Sequence, residues 1–333
     1  MSSNSAAIDP QTSDDSNVSR PVLAYLGPVG TYSHQAAHDR FAETVQYHSQ
    51  DAISDAFHSV GPSGSLALLP QENSIFGIVT ETYDLLRSSE LGESKWIRGA
   101  VTLSVQHCLL VRRGKTIRDI KSVLSHEQAL GQCSQFLATH LPAARLVKVS
   151  STAAAAEAVS TQADDDDAAD SAAICSKICL QLFGNLEMLQ EGIQDSHHNF
   201  TRFYILANHP SSPLPNTPSN GLGECSNAVI RLEVLLQKAE SQGARVTVSD
   251  LLAALRLPVV RMDRRPSITV PREQFGSVYL VEVMDNELSD GFRPSEYAGK
   301  VAITSLPSWK DRVLGAIARV VESGGRATLL GTW

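Results

Sequence analysis

Pro21-Val22-Leu23-Ala24-Tyr25-Leu26-Gly27-Pro28-Val29-Gly30-Thr31-Tyr32-Ser33-His34 is the stretch from which the architecture unfolds. The run from Val22 to Leu26 is apolar and ends at Gly27-Pro28, as a short strand buried on both faces does. Gly30 then allows a tight turn. Thr31 or Ser33 supplies the N-cap of a helix through Ala36-Ala37 towards Phe41. A strand, a glycine turn and a helix start, in that order, present free backbone N–H groups to an anion. No Gly-Lys-Ser/Thr follows, so the turn is not a P-loop, and the dinucleotide glycine pattern is missing.

The same unit recurs along the chain. A second buried strand, Ser65-Leu66-Ala67-Leu68-Leu69-Pro70, ends at Gln71-Glu72-Asn73-Ser74 and leads to a helical stretch near Tyr83-Asp84-Leu85-Leu86. Strands are expected over 101–105 and 108–111. Ser122-Val123-Leu124 runs into Ser125-His126-Glu127-Gln128 and a helix over 129–137. Ser151 or Thr152 caps an alanine-rich helix over 153–159. A strand over 172–175, a helix over 177–183 and a last strand over 203–207 follow. Alternation of strands and helices predicts parallel α/β architecture, in which ligands bind at the carboxyl ends of the strands.

Residues 209–224 are rich in Pro, Ser, Asn and Gly and read as a linker. Beyond it, strands over 227–236, 278–283 and 327–330 combine with helices over 248–255 and 309–323. That succession supplies five of the six elements of the β-α-β-β-α-β order and is read as a ferredoxin-like unit. The organisation expected is therefore a disordered extension over 1–20, a catalytic part over 21–208, the linker, and a smaller α+β unit over 225–333.

Composition narrows the function. Among 333 residues the net charge is −8, and no cluster of Lys and Arg offers a nucleic-acid surface. The first residues lack a basic segment followed by an apolar one, and no apolar run is long enough to span a bilayer. A soluble, cytoplasmic protein with no membrane or nucleic-acid partner is expected. The five cysteines follow no framework spacing, which fits a reducing compartment. Cys175 and Cys179 are four apart and would share one face if both lay on a helix, but they lack the partners that would complete a metal site, so small core residues are the better reading. Asp164-Asp165-Asp166-Asp167 reads as a solvated loop, without the spacing of a calcium site.

Near the end of the α/β part stands Asn199-Phe200-Thr201-Arg202-Phe203. It sets a hydroxyl beside a guanidinium between aromatic rings. Taken with Gly27-Pro28-Val29-Gly30-Thr31-Tyr32-Ser33-His34, Pro70-Gln71-Glu72-Asn73-Ser74, His107-Cys108-Leu109-Leu110 and Ser125-His126-Glu127-Gln128, it resembles prephenate dehydratase, with all five segments in family order. The resemblance implies a two-lobed catalytic domain of the periplasmic-binding-protein type with its site in the cleft, followed by an ACT-type regulatory domain. It implies decarboxylating dehydration of prephenate to phenylpyruvate without a cofactor or metal. It also implies feedback by L-phenylalanine and a homodimer or homotetramer. The family's Glu-Ser-Arg-Pro motif stands here as Asp263-Arg264-Arg265-Pro266, the candidate effector contact, and its Gly-Ala-Leu motif has no clear counterpart.

The resemblance, joined to side-chain chemistry, assigns roles. Thr201 is the candidate catalytic residue, donating a hydrogen bond to the leaving hydroxyl or relaying a proton. Arg202 is expected to pair with a substrate carboxylate or brace the loop. In an extended strand, however, Thr201 and Arg202 face opposite sides, and Phe203 shares the side of Thr201. Asn73 and Ser74 bind ligand or cap a helix. Tyr32 and Ser33 offer a helix N-terminus to a carboxylate. Ser125 and Gln128 close from the second lobe. Glu72 serves as a structural acceptor or an acid, and His126 as a bystander or a general acid. Two other functions stay open: dehydration of arogenate, and a non-catalytic amino-acid sensor.

Overall fold

The structure is a computed structural model that describes residues 20–62, 64–161, 170–216, 226–234, 246–268, 276–285 and 307–333. The acidic run at 164–167, Cys225, nearly all of the N-terminal extension and the second half of the linker, 217–224, lie outside the described residues.

The first lobe opens with β1 (Val22–Leu26), α1 (Tyr32–Phe41), β2 (Gln46–Gln50), α2 (Ile53–His58) and β3 (Leu66–Asn73). It continues with β4 (Gly77–Ile78), α3 (Thr80–Leu85) and β5 (Trp96–Ser104). The chain crosses at 105–107 into a second lobe of β6 (Cys108–Arg112), β7 (Ser122–Ser125), α4 (Glu127–Gln132), α5 (Ser134–His140) and β8 (Arg145–Lys148). That lobe ends with α6 (Thr152–Thr161), β9 (Ser171–Cys175), α7 (Cys179–Leu182) and β10 (Leu186–Glu191). The chain then returns as β11 (Phe200–Ala207), between β5 and β3 of the first lobe. Two crossings leave two lobes joined by two strands, with a cleft between them.

The parallel architecture expected from alternation holds for β2-β1-β3 and for β8-β7-β9. It fails where the chain crosses between lobes. There β11 runs antiparallel to both of its neighbours, and β6 and β10 are antiparallel additions to the second sheet. β6 and β11 enter their sheets from the other lobe, outside the strand–helix–strand repeat that makes neighbours parallel, and β10 pairs with the entering strand β6. The single helix expected over 129–137 is two, broken at Cys133, whose ψ of 19° interrupts the ladder.

Alternation within β1 explains the layering. Leu23 and Tyr25 join a core with Phe41, Leu68, Phe203 and Ile205, under α1. Ala24 joins the opposite core with Phe57, Leu69, Tyr83 and Tyr204. Fully burying each large side chain contributes roughly 1.5–3 kcal/mol.

The C-terminal unit comprises β12 (Asn227–Val234), α8 (Val248–Leu255), β13 (Val259–Pro266), β14 (Ser277–Met284), α9 (Trp309–Glu322) and β15 (Gly325–Thr332). Its antiparallel order β13-β14-β12-β15 is the ferredoxin-like arrangement. Thr247 caps α8 with a reciprocal Asp250 contact, and Ser308 caps α9. The sheets of this unit and of the first lobe are continuous, because β15 pairs with β5 at Gly331 and Ile97. Only glycine permits that approach: a Cβ at 331 would lie 2.0 Å from the Ile97 carbonyl oxygen. Val278, Leu280 and Leu330 complete the first-lobe core around Tyr83 and Tyr204. Among the described residues no helix is long and apolar enough to cross a membrane.

Candidate active site

The cleft between the lobes encloses about 420 Å3. On the first-lobe side β1 stops at Leu26 and α1 starts at Tyr32. Thr31 caps α1, accepting the His34 N–H at 3.4 Å and donating to the Leu26 carbonyl at 3.1 Å. Between them Gly30 lies at φ 93°, and a Cβ there would meet Ala153 Cβ at 3.1 Å and Cys179 Sγ at 3.2 Å, both in the second lobe. Ser176 of that lobe donates to the Gly30 carbonyl at 2.6 Å. The bare glycine is one of the places where the lobes touch.

Across the cleft, Ser150, Ser151 and Thr152 lead into α6, and Ser151 accepts the Ala154 N–H at 3.0 Å. Two ten-residue helices therefore start on one space, and their positive ends favour an anion there. Among the described residues lining the cleft there is no Lys, Arg, Asp or Glu. A ligand carboxylate would be held by N–H groups, hydroxyls and amides.

The floor comes from β3 and β11, where Thr201 stands opposite Asn73. The Asn73 Oδ1 accepts the backbone N–H groups of Ile75 and Phe76 at 2.9 and 3.1 Å. Its Nδ2 donates to Asn199 Oδ1 at 2.8 Å and to Thr201 Oγ1 at 3.0 Å. Thr201 already accepts one bond, so its own hydroxyl hydrogen is available to the cleft. Asn199 Nδ2 donates to Gln132 Oε1 at 3.1 Å. His107 Nε2 lies 2.6 Å from the same oxygen, and its Nδ1 lies 2.5 Å from the Tyr32 hydroxyl. Burial lowers the His107 pKa, against an opposing contribution from the Gln132 bond, and burial holds the Tyr32 phenol well above its ordinary value.

Thr201, Asn73, Tyr32, Ser33, His126 and Gln128 meet in this cleft. His126 caps α4, accepting the Gln128 N–H on Nδ1 at 3.3 Å. The other expected contacts lie elsewhere. Arg202 extends from the back of β11, away from the cleft, to an ion pair with Glu282 of the C-terminal unit. Its cross-strand partner Glu72 pairs with Arg261 on the same side. Strand alternation is the reason: a residue beside one that faces the cleft must face away. Phe203 returns to the cleft side but is buried beneath α1. Ser125 is buried and donates to the Ile174 carbonyl at 2.6 Å, tying β7 to β9. Ser74 braces the crossing by donating to His198 O and accepting the Phe200 N–H, both at 2.9 Å.

Asp263-Arg264-Arg265-Pro266 falls on β13. Asp263 pairs with Arg261 at 2.6 Å, and Arg264 donates to Ser277 at 2.7 Å. Arg265 pairs with Asp84 of the first lobe, and the Pro266 carbonyl accepts from Arg87 at 2.8 Å. This segment docks the C-terminal unit on the first lobe.

Three members of this hydrogen-bonded set received no role from the sequence: His107, Gln132 and Asn199. Gln132 follows Gln128 by one helical turn, and Asn199 precedes Thr201 by one strand repeat, so periodicity pointed to both. His107 stands in a lobe crossing, where no period applies.

Residues 23–211 match the prephenate dehydratase family, more than half of the chain. The bifunctional chorismate mutase/prephenate dehydratase of Neisseria gonorrhoeae is 34% identical over 232 residues, 69% of this chain and 62% of that protein. Arogenate dehydratase/prephenate dehydratase 2 of Arabidopsis thaliana is 32% identical over 257 residues, 77% of this chain and 61% of that protein. This chain thus spans about three fifths of the length of these two relatives. Prephenate dehydratase from Arthrobacter aurescens, solved in complex with L-Phe, shares the fold at a TM-score of 0.64 and 24% identity, covering 93% of this chain and 89% of that one. The order of motifs, the two lobes and the matched segment converge: the chain belongs to the prephenate dehydratase family.

Proposed function

We propose that this chain converts prephenate to phenylpyruvate with loss of CO2 and water, and that it needs no cofactor. The observation that carries this reading is the Thr201 hydroxyl, which accepts from an immobilised Asn73 and so keeps its hydrogen for a cleft with no Lys, Arg, Asp or Glu among its described lining residues. Breaking the ring carbon–carboxylate bond sends an electron pair through the ring and expels the opposite hydroxyl. That hydroxyl leaves as water once it has taken a proton, relayed through Thr201 and replaced from solvent. Aromatisation drives the step, so the protein has only to orient the dianion and stabilise the departing oxygen. The starts of α1 and α6 suit the two carboxylates.

Arogenate differs by an ammonium in place of the side-chain keto group. Among the described residues no carboxylate lines the cleft to receive it. This favours the keto acid. The test is turnover of each substrate by the purified full chain, with phenylpyruvate or phenylalanine as readout. Preference for prephenate by at least about tenfold, equivalent to 1.4 kcal/mol, is expected. No product from either substrate would leave the amino-acid sensor as the reading.

The C-terminal unit, over 225–333 and joined to a catalytic part over 21–208 by a linker over 209–224, is read as an ACT-type regulatory domain that binds L-phenylalanine. The ferredoxin-like order supports this, as does the L-Phe complex of the Arthrobacter aurescens relative. β13 is an outer strand with Val260 and Met262 exposed, which suits edge pairing in a homodimer or homotetramer. Buried Cys108, Cys133, Cys175 and Cys179 are all free thiols, in keeping with the cytoplasm. Calorimetric titration with L-phenylalanine and light scattering of the full chain test the effector and the assembly.

A further inference from the structure

Six cleft side chains form one continuous hydrogen-bonded line: Thr201, Asn73, Asn199, Gln132, His107 and Tyr32. Its polarity is fixed at one end. A backbone N–H can only donate, and two of them, from Ile75 and Phe76, meet the same atom of Asn73. That atom must be the carboxamide oxygen. The amino group then has to face Asn199 and Thr201, so Asn199 presents its oxygen to Asn73 and its amino group to Gln132. Gln132 in turn presents Oε1, and the His107 Nε2 at 2.6 Å from that oxygen must carry a hydrogen. Reversing any amide on the way would set two donors or two acceptors against each other, which is costly in a part-buried line.

We propose that Asn73 fixes the tautomer of His107 through this line, making His107 a positioning residue that is neutral, protonated on Nε2, and an acceptor at Nδ1 for the Tyr32 hydroxyl. Burial of His107 favours the neutral ring. The Gln106 carbonyl, at 3.5 Å, is a much longer alternative acceptor for Tyr32. The consequence for the cleft is a division of labour. The Tyr32 hydrogen is committed, so Tyr32 offers the ligand only lone pairs. Thr201 keeps its hydroxyl hydrogen and Gln132 its amino group as donors. The line also crosses between lobes: Tyr32 opens α1 of the first lobe, His107 stands in the crossing, and Gln132 belongs to the second. It therefore holds the α1 anion site at a set distance from the opposite wall. The catalytic meaning of this arrangement rests on the dehydratase reading; the tautomer does not.

The test is nitrogen-15 NMR of the full chain with labelled histidine, the His107 signals being assigned by their loss in His107→Gln. A pyrrole-type Nε2 and a pyridine-type Nδ1 are expected. In Asn73→Asp the loop keeps its two backbone bonds, but the amino group becomes an acceptor. Asn199 and Gln132 should then turn over, and His107 should switch to the Nδ1-protonated form. Tyr32→Phe should leave the tautomer as it was, since the polarity is imposed from the other end. An Nδ1-protonated or doubly protonated ring in the wild type, a tautomer that changes in Tyr32→Phe, or one that does not change in a folded Asn73→Asp, would each overturn the proposal. Turnover of prephenate is measured on the same samples. Activity with the wrong tautomer sinks this inference alone, whereas the right tautomer without activity sinks the functional reading alone.

Discussion

Thr201 and Arg202 are sequence neighbours that face opposite sides of β11: Thr201 takes a hydrogen bond from Asn73 in the cleft, and Arg202 pairs with Glu282 of the C-terminal unit behind it. Their cross-strand partners repeat the pattern. Asn73, opposite Thr201, faces the cleft, and Glu72, opposite Arg202, pairs with Arg261. One pair of strands thus carries the candidate chemistry on its front and the inter-unit contact on its back.

The front predicts that Thr201→Ala lowers kcat about a hundredfold, the scale of one lost preorganised donor, with KM changed much less. Thr201→Ser retains the hydroxyl and should recover most of the rate. Steady-state kinetics with prephenate measures both. Equal loss in the alanine and serine variants would remove the hydroxyl from the chemistry.

The back predicts an effect on stability. The Glu282 side chain is 4% exposed. Replacing Arg202 by Met leaves that carboxylate buried without its partner, at a cost of about 3–5 kcal/mol. The double variant Arg202→Met with Glu282→Leu should recover most of the loss, which a urea-unfolding cycle on the four proteins measures. If Arg202 instead held a substrate carboxylate, Arg202→Met would raise KM steeply while the unfolding midpoint stayed put.

The same residues show what was legible in the sequence. Period-2 alternation already set Thr201 and Arg202 on opposite faces, and the structure supplies the partner on the second face. Local signals located the start of α1 at Thr31-Tyr32 and the helices at 248 and 309, because caps and apolar runs act over a few residues, although the cap of the 248 helix is Thr247 and not the Ser249 or Asp250 that the sequence offers. Glu282 was out of reach for another reason. Arg202 and Glu282 are eighty residues apart, and their pairing depends on the docking of two sheets. Antiparallel entry of β11 likewise depends on a chain reversal through the whole second lobe. Ser125 reads as a ligand donor in its polar loop, and only the adjoining strand reveals Ile174 as its acceptor.

Gly30 offers a test of lobe approach. At φ 93° an alanine is strained, and its Cβ would press on Ala153 and Cys179 across the cleft. Gly30→Ala should destabilise the protein by more than about 1 kcal/mol. It should also separate the lobes and lower kcat/KM about 10–100-fold through misplacement of the α1 start. A thermal melt and steady-state kinetics check the two effects. An unchanged kcat/KM would show that the lobes do not meet at this turn during turnover.

His34 gives a dependence on pH. It is buried one helical turn into α1, stacked on Tyr25 with ring centroids 4.8 Å apart, edge-on to Tyr47 at 5.2 Å, and it accepts the Gly30 N–H on Nδ1 at 3.2 Å. Burial, with a smaller contribution from the nearby His38, lowers its pKa from 6.5 to about 4. The unfolded chain therefore binds a proton on this residue at a higher pH than the folded chain does. Its contribution to stability is complete above pH 6.5 and falls as the pH drops from there towards 4, with a limiting slope of about 1.4 kcal/mol per pH unit. Burial of His107 acts in the same direction. Urea unfolding at a series of pH values between 7.5 and 4.5 should show this loss, and His34→Gln should flatten the slope while lowering stability at pH 7.5. A variant as pH-sensitive as the wild type would mean that His34 titrates alike in both states. In that case the ring is not held neutral by its burial between Tyr25 and the Gly30 turn.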